Sequence, residues 1–409
     1  MRRLFPLSHA HDLPFWRRPE ALLMLMAFAM PVSFATWSAL LDNFTIRVAG
    51  FDGSDTGWLH SVREVPGFLA IGVIAVIIFV REQVLAILSL VLLGVATALT
   101  AQFPSMGGLL TITLLSSIGY HYYETVNQSL QLQWLPKDRA PRMLGVLLSV
   151  GAGGTLLAYG AIVATWRAFD LDYATVYWLA GGFTATVAAA AFFVFPQFES
   201  PHPQTKEFVL RRRYWLYYAM QFMSGARRQI FIVFAYFMMV ERFDLQPDEM
   251  TLLLMATMAV NMLTAPLVGR AVAHFGERRA LMVEYSGLFA VFVLYACLYR
   301  FDWGTGVACL LFIANNVFFS LALAIKTYFQ KIASPGDIAP TAAVAFTINH
   351  IAAVFLPATL GYLWLTSPIA VFTLAAGMAA VSLGLSTLVP RHPVEGHETI
   401  LTPRLAAAE

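Results

Sequence analysis

Gly119-Tyr120-His121-Tyr122-Tyr123-Glu124-Thr125-Val126-Asn127-Gln128-Ser129-Leu130-Gln131 is a polar run set between strongly apolar stretches, residues 109–115 before it and 143–150 beyond a short basic loop. A charge facing lipid at mid-depth costs about 2.5–3.5 kcal/mol on insertion scales. The run therefore faces an interior filled by water or a ligand. His121, Glu124, Gln128 and Gln131 step by three, four and three residues and share one helical face. The rest of the chain reads as walls built around this face and a few others like it.

Composition supports that reading. The chain has 409 residues, 59% hydrophobic and only 12% charged, where a soluble domain carries about 25% charged residues. This excludes an ordinary globular enzyme and a disordered chain, and implies an all-α polytopic membrane protein with the lipid bilayer as its surroundings. A net charge of +2 gives no global basic field for a nucleic-acid partner. Cys297 and Cys309 lie in neighbouring apolar segments and support neither a disulfide framework nor a thiolate metal site. There is no nucleophile motif, nucleotide-binding glycine loop or metal-hydrolase signature. The sequence thus gives no reason to expect an enzyme, a cofactor or a bound metal.

A membrane span needs roughly 20 mostly apolar residues. By that rule the sequence predicts twelve transmembrane helices, near 21–47, 57–80, 84–102, 106–134, 142–166, 174–195, 214–240, 250–273, 280–299, 303–331, 340–365 and 368–389. The first is read as an uncleaved span, not a signal peptide. Turn residues mark most breaks, as in Gly53-Ser54-Asp55, Pro136-Lys137-Asp138 and Ser334-Pro335-Gly336-Asp337. The longest break, 196–213, is Pro-rich and then basic. It divides the chain into a tail (1–20), a six-helix bundle (21–195), a linker (196–213), a second six-helix bundle (214–389) and a second tail (390–409).

Charge placement sets the expected orientation. Loops and tails on one side hold Arg2, Arg3, Arg17, Arg18, Arg81, Lys137, Arg139, Arg142, Lys206, Arg211, Arg212, Arg213, Arg278, Arg279, Lys331, Arg391 and Arg404, against Arg47, Arg167, Arg242 and Arg300 on the other. The positive-inside rule then places both termini and the linker in the cytoplasm.

Between the eighth and ninth segments the chain reads Gly269-Arg270-Ala271-Val272-Ala273-His274-Phe275-Gly276-Glu277-Arg278-Arg279. With six plus six helices and a basic middle loop, this resembles the major facilitator superfamily, whose motif here has glycine, three residues, an acid, a base, any residue, glycine and paired bases. Both glycines and both terminal arginines match. Ala273 and His274 stand where the acid and base are usual, and Glu284 is the carboxylate expected to replace the acid. The loop after the second segment is reduced to Arg81-Glu82-Gln83. Gly145, Gly151, Gly153 and Gly154 resemble the family's glycine-rich helix without its proline, and helix packing is the favoured reason for them. The resemblance implies two six-helix halves, alternating access, a site near mid-membrane, a monomer, and residence in a bacterial inner (plasma) membrane. It also implies a cytoplasmic gate at Gly269, Gly276, Arg278, Arg279 and Glu284.

Several segments, read independently, put polar groups at one depth: Tyr120, His121 and Glu124; Arg227 and Arg228; Asn315 and Asn316; Asn349 and His350. Glu124 is the expected proton carrier with His121 as helper, because a buried carboxylate balanced between desolvation and a nearby base can load and release a proton. Arg227 and Arg228 suit an anionic group, since a guanidinium fork matches a carboxylate or phosphate. One of the two is expected to pair with Glu124 or Glu64, leaving the other for substrate. Tyr120, Gln128, Asn315, Asn316, Asn349 and His350 complete the expected substrate set. Asp42, Arg63 and Glu64 form an expected ion-pair or gating group; adjacent Arg63 and Glu64, about 100° apart on a helix, need not pair with each other. The sequence thus implies proton-coupled transport of a small organic, anionic or zwitterionic solute. A broad-specificity drug-type exporter is the alternative, and a metal-ion transporter using His60, His121, Glu124 and His350 a third.

Overall fold

The computed structural model describes residues 4–69, 72–77, 79–135, 140–199, 210–334 and 337–402. Arg2, Arg3, the turn at Pro136-Lys137-Asp138, Arg139, Lys206, Pro335-Gly336 and Arg404 lie outside the described residues. The helices are α1 (Pro19–Arg47), α2 (Gly53–Phe68), α3 (Gly72–Ile77), α4 (Glu82–Leu99), α5 (Met106–Trp134), α6 (Ala140–Thr165), α7 (Tyr173–Val194), α8 (Trp215–Ile230), α9 (Tyr236–Glu241), α10 (Pro247–Phe275), α11 (Glu277–Phe301), α12 (Thr305–Ser320), α13 (Leu323–Ile332), α14 (Ile338–Thr366) and α15 (Pro368–Thr387). Their starts follow the local chemistry. Ser105, Asp172 and Ser367 cap α5, α7 and α15 by accepting backbone N–H bonds from Gly108, Thr175 and Ala370.

These helices make the twelve segments expected. Among the described residues, nine helices are long and apolar enough to cross a membrane. The other three expected spans fall on α2–α3, α5 and α8–α9. Those are the segments that carry Arg63 and Glu64, the run at 119–131, and Arg227 and Arg228. In α5 and α8–α9 the polar residues that lower the hydropathy are candidate site residues.

The chain divides into two compact units. The first comprises Met1–Phe51, Val62–Thr205 and Gln246–Leu252; the second comprises Asp52–Ser61, Lys206–Leu245 and Leu253–Glu409. In the first, α1, α4, α5 and α7 bury Leu22, Leu90, Leu93, Tyr123, Val126 and Ala188 together. Lipid tails are as apolar as leucine, so helix association in a bilayer rests on close packing instead of on exclusion of water. Gly94 of α4 and Gly181 of α7 meet where a Cβ at either would come within 2.6 Å of the other helix's backbone. In the same unit, Gly151 and Gly154 of α6 lie against the backbone of Ala27 and Phe28 in α1, which gives those glycines a packing role.

Two features outside the helices were not expected. Leu4–Phe5 (β1) pairs in parallel with Gln197–Phe198 (β2), and Gln83 locks the pair by donating to the Pro196 carbonyl and accepting from the Phe198 N–H, both at 2.8 Å. In the second unit, residues beyond α15 fold back: Glu398 and Thr399 are buried and the Ile400 N–H bonds the Leu388 carbonyl at 2.9 Å.

Candidate functional site

The second unit brings the two adjacent arginines to different partners. Gly225 sits so close to α14 that a Cβ there would lie 2.4 Å from the Asn349 carbonyl oxygen. That closeness lets Asn349 donate to the Gln221 carbonyl at 3.1 Å and accept from Arg228 Nη2 at 2.9 Å. Asn349 thus holds one tip of the guanidinium fork, while Arg228 Nε has no acceptor among the described residues.

Arg227 points the other way and is 1% exposed. Its Nη1 donates to Ser382 Oγ on α15, its Nη2 lies 3.7 Å from Glu284 Oε1, and its guanidinium covers the Tyr285 ring at 4.6 Å. Neither Glu284 oxygen has a hydrogen-bond donor among the described residues. The expected partner for one arginine was Glu124 or Glu64; the structure gives Arg227 to Glu284. Glu284 is correspondingly not at the gate motif. Since α11 begins at Glu277, the seven residues to Glu284 carry it about 10 Å along the helix at 1.5 Å per residue.

Three residues after Arg228 the helix passes into a π turn, Phe231–Ala235, and the Phe231 N–H is shared by the carbonyls of Arg227 and Arg228. Such turns insert one extra residue into a helix and recur at functional sites. Here it aims Phe231, Ile232 and Tyr236 at a cavity of about 140 Å³. The cavity is also lined by Leu288 and Phe292 of α11, by Asn315, Asn316 and Phe319 of α12, and by both arginines. Asn315 is 3% exposed and its Oδ1 has no donor among the described residues. Asn316 Nδ2 donates within its own helix to the Phe312 carbonyl at 2.9 Å. His350 is buried and its Nδ1 bonds the Phe346 carbonyl at 2.8 Å, with the Phe346 ring 4.2 Å away. The structure therefore gathers Arg227, Arg228, Asn315 and Asn316 at one cavity, whose lining does not include Asn349 or His350.

In the first unit, Tyr120 stacks on Phe34 at 4.4 Å and its edge meets His121 at 5.0 Å. His121 is buried, Glu124 half-buried and Gln128 exposed. Arg63 and Glu64 do pair with each other, Nη2 and Nε reaching Oε1 at 2.5 and 3.0 Å. The 100° offset is bridged by the reach of two long side chains bending toward one point. Ser117 Oγ donates to the Arg63 carbonyl, and the Arg63 guanidinium lies 5.8 Å from the Trp37 ring. Asp42 is buried, with Oδ1 lacking a donor among the described residues.

At the motif between α10 and α11, Gly276 adopts φ +80 and caps α11, a left-handed conformation that suits glycine. Gly269 is half-buried, Arg278 half-buried and Arg279 exposed. The buried carboxylate there is Glu277, 3% exposed and held by Lys331 at 2.6 Å. Two further polar clusters were not singled out in the sequence. Glu82 accepts from Ser129 at 2.9 Å and Gln133 at 2.6 Å; the i, i+4 spacing of Ser129 and Gln133 was the available signal. Asp337 accepts from Arg211 at 3.0 Å, Arg213 at 2.9 Å and Tyr214 at 3.0 Å. Bonds from Arg211, then Arg213 and Tyr214, hold its carboxyl down at about 2 despite the opposing effect of burial.

Twelve helical segments with acidic and basic side chains buried among them are the build of a polytopic membrane transporter. The family model for the Major Facilitator Superfamily matches residues 21–357; the chain belongs to that family, whose members are secondary transporters and not enzymes. Comparison with curated proteins finds no sequence match. Among solved structures, the nucleoside transporter NupG is similar with a TM-score of 0.71 at 14% identity, covering 90% of this chain and 98% of that one. A bacterial homolog of the human lysosomal transporter Spinster, in an inward-facing and occupied conformation, is similar with a TM-score of 0.68 at 11% identity, covering 90% and 95%. At these identities the likeness is one of fold.

Proposed function

We propose that this chain carries a small organic anion or zwitterion across the bacterial inner (plasma) membrane in exchange for, or together with, protons. Both termini face the cytoplasm in this reading, as the basic loops favour. The observation that carries it is the unequal treatment of Arg227 and Arg228. Arg227 has a carboxylate beside it in Glu284, so its charge is already matched. Among the described residues Arg228 is held only by a neutral amide, in the lining of a cavity; Nε lacks an acceptor in both arginines, so the carboxylate beside Arg227 is what sets them apart. A carboxylate bound side-on to Nε and Nη2 would satisfy Arg228. Arg228 is thus the substrate's charge partner, with Asn315 and Asn316 beside it and Arg227 as structural support. Tyr120, Gln128, Asn349 and His350 are the further substrate-binding residues of this reading.

Glu124 carries the proton, assisted by His121 one turn away on the same face. Asp42, Arg63 and Glu64 act as a gating group, and Gly269, Gly276, Arg278 and Arg279 as a cytoplasmic gate, with Glu277 as its carboxylate in place of Glu284.

Uptake into vesicles with and without a pH gradient tests this. Wild type accumulates an organic anion only with the gradient, Glu124→Gln loses accumulation while keeping exchange, and Arg228→Gln raises the half-saturating concentration at least tenfold. Full gradient-driven accumulation by Glu124→Gln removes the proton role. Unchanged affinity in Arg228→Gln removes the anion role.

A further inference from the structure

We infer that the solute is a single-ring aromatic carboxylate bearing a hydrogen-bond donor on the ring, the chemistry of a hydroxybenzoate. This rests on the assignment of Arg228 to an anion and goes on to the shape of what carries it.

Three properties of the second unit's cavity lead there. The first is size. At about 140 Å³ it matches an engineered cavity of about 150 Å³ that takes one benzene ring. The second is its walls. Besides the arginines and asparagines they are Phe231, Tyr236, Phe292 and Phe319 with Ile232 and Leu288. Aromatic faces and edges favour a flat ring over an aliphatic chain of equal volume, because offset and edge-to-face contacts add to burial. The rings are also braced: Phe231 and Tyr236 each pack on Phe312, at 4.9 and 4.8 Å between centroids. A slot held open in this way need not rearrange to admit a planar guest.

The third is the polar part of the lining. Among the described residues, Arg228 Nε is a buried donor without an acceptor, and Asn315 Oδ1 is a buried acceptor without a donor. An unmet buried polar group is costly, so a guest that supplies both complements removes two such costs at once. A carboxylate answers Arg228. A ring O–H or N–H answers Asn315. Aliphatic acids lack the ring, benzoate lacks the donor, and an uncharged phenol or nucleoside lacks the anion.

The test is equilibrium binding to the purified full chain in detergent, read by calorimetry, with 3- and 4-hydroxybenzoate, benzoate, cyclohexanecarboxylate, butyrate, 4-hydroxybenzamide and uridine as probes. At least one hydroxybenzoate is expected to bind tenfold or more tightly than cyclohexanecarboxylate and several-fold more tightly than benzoate. Asn315→Ala should erase the preference over benzoate; Arg228→Lys, which keeps the charge but not the fork, should weaken all carboxylates. The comparison across probes on wild type stands even if a variant does not fold. Equal affinity for cyclohexanecarboxylate, butyrate and hydroxybenzoates, still sensitive to Arg228→Lys, overturns the aromatic assignment and leaves the anion reading standing. Equal affinity for 4-hydroxybenzamide or uridine, insensitive to Arg228→Lys, overturns both. Absence of binding by every benzoate at millimolar concentration overturns the aromatic assignment.

Discussion

Arg63–Glu64 in the first unit and Arg227–Glu284 in the second are both arginine–carboxylate pairs set among helices, and they are built in opposite ways. The first joins sequence neighbours at 2.5 Å, with the arginine side chain 13% exposed. The second joins α8 to α11 across 3.7 Å with exposures of 1% and 0%. A pair of neighbours moves with its own helix and stays matched however that helix moves. A pair that spans two helices ties their positions together, and its long separation leaves both groups short of hydrogen bonds. The local pair is a self-contained solution; the cross-helix pair makes the packing of the second unit depend on charge.

The largest expected effect follows from breaking the deeper pair. Arg227→Met leaves Glu284 buried and unmatched, which should destabilise the protein by about 3–5 kcal/mol, measured by denaturant unfolding in detergent. Arg227→Met with Glu284→Leu should recover most of that loss, because an apolar replacement of a buried pair is often neutral. A double variant as unstable as the single one would show that Ser382 and Tyr285, not Glu284, are what Arg227 serves. Arg63→Met should cost less, about 1–3 kcal/mol for a charged hydrogen bond lost where water can still reach. An equal or greater loss there would erase the distinction between the two pairs.

Gly225→Ala probes α8 two residues before Arg227. Its Cβ meets the Asn349 carbonyl at 2.4 Å, so overpacking of about 1–3 kcal/mol is expected. Release of Arg228 from Asn349 should accompany it, seen as a changed affinity for anions, whereas Gly153→Ala, with open space around it, should change neither. The smallest effect is at Asp337, outside the spans. Its folded carboxyl titrates at about 2, below the usual value of about 3.9. Its contribution is therefore complete above about pH 4 and lost as pH falls toward 2. Tryptophan fluorescence against pH should show this step in wild type, and Asp337→Asn should remove it.

These contrasts also mark what the sequence could convey. Twelve segments were legible because hydropathy reports lipid exposure directly, and the polar positions in α2, α5 and α8 stood out against it. Which acid meets which base was not legible. Arg63 and Glu64 looked unsuited to each other from helix geometry alone, and side-chain reach decided otherwise. Glu284 looked like part of the nearby motif, and the length of α11 carried it to Arg227. The π turn at Phe231–Ala235 has no composition signal: it is a tertiary result of fitting α8 and α9 among their neighbours. The strand pair β1–β2 was hidden because two-residue strands carry no period.

That strand pair has a mechanical consequence. It fastens the chain just ahead of α1 to the chain just beyond α7, with Gln83 bolted across the join. A pull arriving along the backbone after Glu199 is taken up in shear by strand hydrogen bonds and spread to α1 and α4, so it does not peel α7 open from its last turn. The first six spans are cinched into a closed ring of chain, and the ring can be towed as one piece.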